Sequence, residues 1–161
     1  MAVTVRRAHS DSDFHRLHRL FVAYEAGLPP PLRHGSVPDM HAIRQTFSQP
    51  NAAFIATHDE VAIGCAAVKR AGDDRATTAV LLRLYVRPES RRLGAARLLV
   101  TSAIAFARDA GFCRLVLDTE KTELEAAYRL YRSLGFEECT PFATVSYDSP
   151  TFMELVLREG P

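Results

Sequence analysis

Leu84-Tyr85-Val86-Arg87-Pro88-Glu89-Ser90-Arg91-Arg92-Leu93-Gly94-Ala95-Ala96-Arg97 is the stretch on which the reading of this chain turns. An apolar run over residues 79–86 leads into it, and a long amphipathic segment follows. The order is strand, short glycine turn, helix start. The first N–H groups of a helix have no helical carbonyl to bond. Together with the positive end of the helix dipole, they form a site for an anion such as a diphosphate. Arg91, Arg92 and Arg97 add positive charge. The stretch therefore predicts a phosphorylated cofactor held at a strand-to-helix turn.

Outward from the turn, the following helix carries Ala96, Leu99, Val100, Ala103, Ile104 and Ala107 on one face, and Gly111 ends it. Residues 114–118 read as a short buried strand. A strand, helix, strand unit of this kind makes the two strands parallel. Toward the N-terminus, residues 52–57 and 61–70 read as a hairpin around His58-Asp59-Glu60, with Gly72-Asp73-Asp74 as the next turn and residues 77–86 as a longer strand. Residues 3–8 form the first strand. Ser10-Asp11-Ser12-Asp13 supplies cap oxygens and acidic first-turn residues to a helix whose buried face is Phe14, Leu17, Phe21, Tyr24 and Leu28. Gly27 and Pro29-Pro30-Pro31 stop it. Pro38 enters the first turn of a second helix with Met40, Ile43 and Phe47 inside, and Pro50 ends that helix. Thr122 and Glu125 stand at capping-box spacing before a last helix with Leu124, Ala127, Tyr128 and Tyr131 on one face. Gly135 ends it, Phe136 begins another strand, and residues 151–158 are the final strand.

The 161 residues suit one domain spanning 1–161, and a 47% hydrophobic content supplies its core. A net charge of +1 offers no basic field for nucleic acid or an anionic membrane. No apolar run approaches the roughly 20 residues of a membrane span. Residues 1–7 alternate like a strand and lack the apolar centre of a signal peptide. Cys65, Cys113 and Cys139 are widely spaced without a CxxC, which suits reduced thiols in a cytoplasmic protein. A Walker loop is excluded by the lack of Gly-Lys-Ser/Thr, and a dinucleotide fingerprint by the lack of Gly-x-Gly-x-x-Gly. His15 and His18 are helical neighbours with no third ligand at a supporting spacing, so no metal site is expected.

Two stretches together resemble the GNAT N-acetyltransferase superfamily. Its cofactor motif, Arg/Gln-x-x-Gly-x-Gly/Ala after a strand, is matched by Arg91-Arg92-Leu93-Gly94-Ala95-Ala96 behind Leu84-Tyr85-Val86-Arg87-Pro88-Glu89. Its second signature, Ala-x-x-Leu-Tyr-x-x-x-Gly-Phe, is matched by Ala127, Leu130, Tyr131, Gly135 and Phe136. The resemblance covers nearly the whole chain. It implies an α/β fold with a mixed, mostly antiparallel sheet of six or seven strands, a central parallel V-shaped splay, and helices on both faces. It implies transfer of an acetyl group from acetyl-CoA to a primary amine of a small molecule or peptide, by direct attack in a ternary complex. An acyl-CoA-binding or sensing domain without catalysis is the alternative. The diphosphate would lie on the amides of Arg92, Leu93, Gly94, Ala95 and Ala96 beside Arg91, the pantetheine along Leu84, Tyr85 and Val86, and the sulfur near Tyr131. Members often dimerise, so a homodimer is among the expected assemblies. Two positions depart from the family pattern: Leu124 stands where many relatives have Asn, and Val80 where many have a Glu base.

Acetyl transfer needs a neutral amine, and a lysine-like amine at pH 7 lies about 4–5 kcal/mol from its neutral form. Glu25 and Asp118 are the candidate bases for that proton, with Glu120 beside them. Backbone N–H groups near Tyr85 and Val86 would meet the acyl oxygen if a bulge freed them. Tyr131 is the candidate donor to the departing sulfur. Tyr24, Glu25 and Arg83 are placed on the acceptor side. Tyr24, Leu28, Phe47, Phe142 and Tyr147 would line it as an aromatic wall that, with Glu25, suits a cationic acceptor.

Overall fold

A computed structural model describes residues 2–72 and 77–158. Seven strands form one sheet in the order β1-β2-β3-β4-β5-β7-β6. They are β1 (Thr4–Arg7), β2 (Ala52–His58), β3 (Val61–Arg70), β4 (Thr78–Val86), β5 (Arg114–Thr119), β6 (Glu137–Glu138) and β7 (Thr151–Val156). Among the described strands only β4 and β5 pair in parallel, as the connecting helix requires. Among the described residues four α-helices accompany the sheet: α1 (Asp11–Gly27), α2 (Met40–Thr46), α3 (Ala95–Asp109) and α4 (Glu125–Ser133). The expected mixed sheet with one central parallel pair is what the chain adopts. Asp73 and Asp74 of the expected turn lie outside the described residues.

Alternation along β2 divides the core. Ala52, Phe54 and Ala56 face a cluster built on Leu99, Val100, Ala103 and Ala107 of α3. Ala53 and Ile55 face the other layer, built on Phe14, Leu17, Leu20 and Phe21 of α1 with Ile43 of α2. The two helix layers therefore cover opposite faces of the sheet. The β2–β3 hairpin turns on Asp59 and Glu60, both at positive φ (51° and 66°), as a tight two-residue loop demands.

Ser10 and Asp13 close a reciprocal capping box at the start of α1. Asp13 is buried and also accepts from the two terminal guanidinium nitrogens of Arg6 (2.7 and 2.5 Å) and from the His9 amide (2.9 Å). The Arg6 bond is the main force holding its carboxyl far below the usual range, against the opposing effect of burial. A depressed native pKa means a contribution that is complete above the unfolded value of about 3.9 and is lost as pH falls toward the native one. Asp13→Asn is expected to lower stability at pH 7 by about 2 kcal/mol. It should also flatten the acid limb below pH 4 in denaturant titrations; an unchanged acid limb would remove this role.

Two helix starts differ from the sequence reading. α2 begins two residues after Pro38, because Asp39 caps it by accepting from the Ala42 amide (2.9 Å). The Thr122–Glu125 capping box does not form: α4 starts at Glu125 after Leu124, with no side-chain cap. The carboxylate of Glu120 instead accepts from the amides of Thr122 and Glu123, at 3.0 Å each. An ionised acceptor makes the stronger bond and outcompetes a hydroxyl. Glu125 turns outward to Arg129 (2.5 Å).

Candidate active site

The parallel pairing of β4 and β5 is short. It runs Thr78↔Arg114, Ala79↔Leu115 and Val80↔Val116, and stops there. β5 continues beside β7 to Thr119, and β4 continues beside β3 to Val86. Beyond Val80 the two strands diverge, so each has a neighbour on one side only. That leaves an open backbone edge on β4 over residues 81–86, the polar surface an extended chain can add to.

At the end of that edge the chain enters the turn. Residues 88–90 make one 3₁₀ turn, Arg92 adopts φ 73°, and Gly94 caps α3 at φ 82°. No side chain caps α3, and its first helical bond runs from Leu98 N–H to Gly94 O (3.2 Å). The N–H groups of Ala95, Ala96 and Arg97 thus have no helical acceptor. A Cβ at Gly94 would meet nothing within 4 Å, so the space beside the turn is open. Positive charge, free amides and open space fit a diphosphate. Arg91, however, is partly committed: its Nε donates to Val86 O (3.1 Å), tying the turn to the strand end. Arg97 reaches Ser133 on α4 (2.9 Å).

Along β4 the ladder is interrupted. Cys65 pairs with Tyr85 and Ala67 with Leu82, so Arg83 and Leu84 together oppose Ala66. Arg83 adopts φ 56° there. This is a bulge, which unpairs backbone groups and turns the strand. β3 makes room beside it with Gly64, where a Cβ would lie 2.6 Å from the carbonyl oxygen of Tyr85. The thiol of Cys65 donates to Arg83 O (3.4 Å), and burial pushes its pKa up to about 12, so it stays a neutral core group.

Tyrosines surround the bulge and the open edge. Tyr131 on α4 is 7% exposed and packs against Phe136 at 5.7 Å between ring centroids. Its hydroxyl has no hydrogen-bond partner among the described residues. Burial raises its pKa well above the usual phenol range, and the nearby Tyr24 and Asp118 add to that. Burial also pushes Tyr24 up to about 12, opposed by the charge of Arg83. Tyr24 stacks on His34 (6.0 Å) and meets the edge of Tyr85 (6.2 Å). Tyr147 donates to Asp118 (2.7 Å), and its phenol is raised by burial and then by that bond. The charge of Asp118 raises Tyr24, Tyr131 and Tyr147, and Tyr24 raises the other two phenols in turn.

The structure places other expected residues differently. Glu25 is buried and accepts from the Gly35 amide (2.8 Å), the His34 amide and His34 Nδ1 (3.1 Å). Burial pushes its carboxyl up, and these bonds more than reverse the effect, leaving the pKa below the usual value. Glu25 therefore fastens the loop over residues 29–36 to the end of α1. Arg33 assists by donating to the carbonyls of Leu28 (3.1 Å) and Ala26 (3.3 Å). Phe47 is core, edge-on to Phe21 at 6.0 Å, and does not join the aromatic wall. Phe142 packs against Phe152 at 5.0 Å. Tyr85 supplies a ring the sequence reading assigned only a backbone role; its place on β4 two residues past Arg83 was the available signal. Glu120 is spent on the turn before α4. His15 and His18 lie on α1 with Arg16 and Arg19, and no group of three potential metal ligands occurs among the described residues.

No described helix is long and apolar enough to cross a membrane. The chain is 36% identical over 115 residues to an uncharacterized N-acetyltransferase of Schizosaccharomyces pombe, covering 70% of this chain and 69% of that protein. Over 104 residues it is 34% identical to human N-acetyltransferase 8, covering 62% of this chain but only 45% of the human protein. Its fold is similar to that of yncA from Salmonella typhimurium, solved with its cofactor acetyl-CoA. The TM-score is 0.79 at 24% identity, with 99% and 96% of the two chains covered. The model of the acetyltransferase (GNAT) family matches residues 14–136, and the chain belongs to that family.

Proposed function

We propose that the protein transfers an acetyl group from acetyl-CoA to a primary amine, by direct attack with both substrates bound. One observation carries this: an uncapped, glycine-led helix start stands at the end of a strand that has lost its neighbour. Acetyl-CoA supplies an acyl group activated as a thioester. The amides of Arg92, Leu93, Gly94, Ala95 and Ala96 bind its diphosphate, with Arg91 fixing the turn. The open edge at Leu84, Tyr85 and Val86 bonds the pantetheine. Backbone N–H groups freed by the bulge stabilise the acyl oxygen as it gains charge.

Tyr131 donates a hydrogen bond at the leaving sulfur. Its raised pKa makes it a poor proton source, so it acts as a donor without ionising. Asp118, oriented by Tyr147, takes the proton from the attacking amine, directly or through water. Glu25 positions the acceptor loop, because its oxygens are engaged and its carboxylate is a weakened base.

Tyr131→Phe is expected to lower kcat about 10- to 100-fold, the worth of one bond to a charged acceptor. Coenzyme A affinity and Tm should hold, since the lost hydroxyl has no hydrogen-bond partner among the described residues; unaltered kcat with chemistry limiting would exclude the role. The reading as a whole is tested by calorimetry with acetyl-CoA and by thiol release over a panel of amines. Saturable binding with amine-dependent release is expected. Absence of binding overturns the assignment. Binding without release on any amine would favour the sensing domain, a reading to which the apolar Val80 at the apex of the splay lends support.

A further inference from the structure

Among the described arginines that are not exposed, the one at the bulge alone has no hydrogen-bond or ion-pair partner for its side chain. Arg6, Arg16, Arg44, Arg114 and Arg129 pair with carboxylates. Others reach backbone carbonyls, as Arg33, Arg87, Arg91 and Arg158 do. Arg83 is half-buried, and among the described residues its side chain has no ion pair and no hydrogen bond. Its guanidinium lies over the ring of Phe21, 4.8 Å from the centroid. A ring face attracts the charge but accepts none of the five N–H donors in the way an oxygen would. These donors are not sealed from solvent, so they are available to a ligand that enters the acceptor space.

Phe21 and Tyr24 belong to α1, so this cation faces the layer opposite α3 and its phosphate turn. It stands next to Leu84, at the β4 backbone assigned to the acyl group. The carboxylates nearby are committed elsewhere: Glu25 to the 34–35 amides, and Asp118 to Tyr147. The acceptor space thus holds one carboxylate suited to taking a proton and one guanidinium with nothing to bind.

We propose that the acceptor carries a carboxylate beside its reacting amine, as an α-amino acid does, and that Arg83 binds that carboxylate. The inference rests on the acetyltransferase reading above and names its substrate class. A guanidinium matches a carboxylate with two parallel bonds, which fixes direction as well as distance. Such a clamp at the bulge brings an amine on the neighbouring carbon up to the acyl group. The acceptor's side chain then meets Tyr24, Tyr85 and Tyr147. Outside lies a cleft of about 410 Å³ between Pro31 and Leu32 on one side and Glu120, Glu123 and Asp148 on the other. Its acidic lip selects against a second carboxylate, so neutral and cationic side chains are favoured.

The test compares amino acids with their amides. Thiol release is measured with L-alanine and L-alaninamide, L-phenylalanine and L-phenylalaninamide, and L-lysine and L-lysinamide. The amide's amine is the weaker base and is more often neutral, so chemistry alone favours the amide. Recognition of the carboxylate should instead give the acid at least about a 30-fold advantage in kcat/KM, in at least one pair, carried mainly by KM. In Arg83→Gln the acid-to-amide ratio should fall to about 1 or below, and Arg83→Lys should restore part of the advantage. If Arg83→Gln does not fold, calorimetry of N-acetyl-L-phenylalanine against its amide on the coenzyme A complex of the wild type gives the same comparison. A wild-type ratio of about 1 or below in all pairs, or one unmoved by the substitution, overturns the proposal. So does failure to use or bind any of these compounds while coenzyme A still binds. Failure to bind coenzyme A strikes the acetyltransferase reading instead.

Discussion

Gly94→Val should weaken coenzyme A binding by about 100-fold or more. Two consequences of the residue combine. At φ 82° a β-branched side chain is strained, by about 1–3 kcal/mol, which shows in the stability of the free protein. The new side chain also enters the open space beside the turn to which the diphosphate is assigned. Losing two charge-assisted bonds at about 1.5 kcal/mol each gives a factor of about 100. Gly94→Asn separates the causes, because asparagine tolerates the left-handed conformation. It should keep near-native stability and still lose most of the affinity. Calorimetry and denaturant titration on both variants provide the check. Full affinity in Gly94→Asn would mean the anion does not sit on this turn.

Asp118→Asn is the second large effect. At pH 7 kcat/KM should fall by about 100- to 1000-fold, the range for loss of a positioned base. The amide oxygen can still accept from Tyr147, so the local packing is kept. The signature is in the pH profile. As pH rises toward the amine's own pKa, about 10 for an alkylamine, solvent delivers the neutral nucleophile and the gap should close. A loss of constant size across pH 6–10 would make Asp118 a positioning residue, and no loss would remove it from the mechanism. Tyr147→Phe, which frees the carboxylate without removing it, should cost less than Asp118→Asn at every pH.

The parts of this molecule that chain neighbours determine were legible in the sequence. α3 shows its buried face at steps of three and four, and the turn before it needs a glycine because the backbone there is left-handed. The parallel pairing of β4 with β5 follows from the crossover between them. What escaped depends on distant partners. Glu25 looks like a free carboxylate until the loop folds back nine and ten residues later to occupy it. Tyr147 and Asp118 are 29 positions apart, and nothing local announces their bond. The failed box at Thr122 is a competition lost to Glu120, whose carboxylate already serves two of the amides in that turn. Phe47 follows a helical period that marks it as buried but does not say against what. Arg83 was placed on the acceptor side, yet only the folded chain shows that no acidic neighbour meets it among the described residues.

The split between the two helix layers also bears on how such a chain acquires a new acceptor. In the proposed reading the coenzyme is held by the start of α3, by α4 and by β4, whereas the tail of α1 and the proline loop behind it form the other wall, on the opposite layer of the core. Drift in the segment between Tyr24 and Val37 would leave the nucleotide end untouched. A graft of that segment from a relative is therefore the smallest transplant that should carry a change of specificity, with the bulge residue on β4 as the one position that must be exchanged along with it.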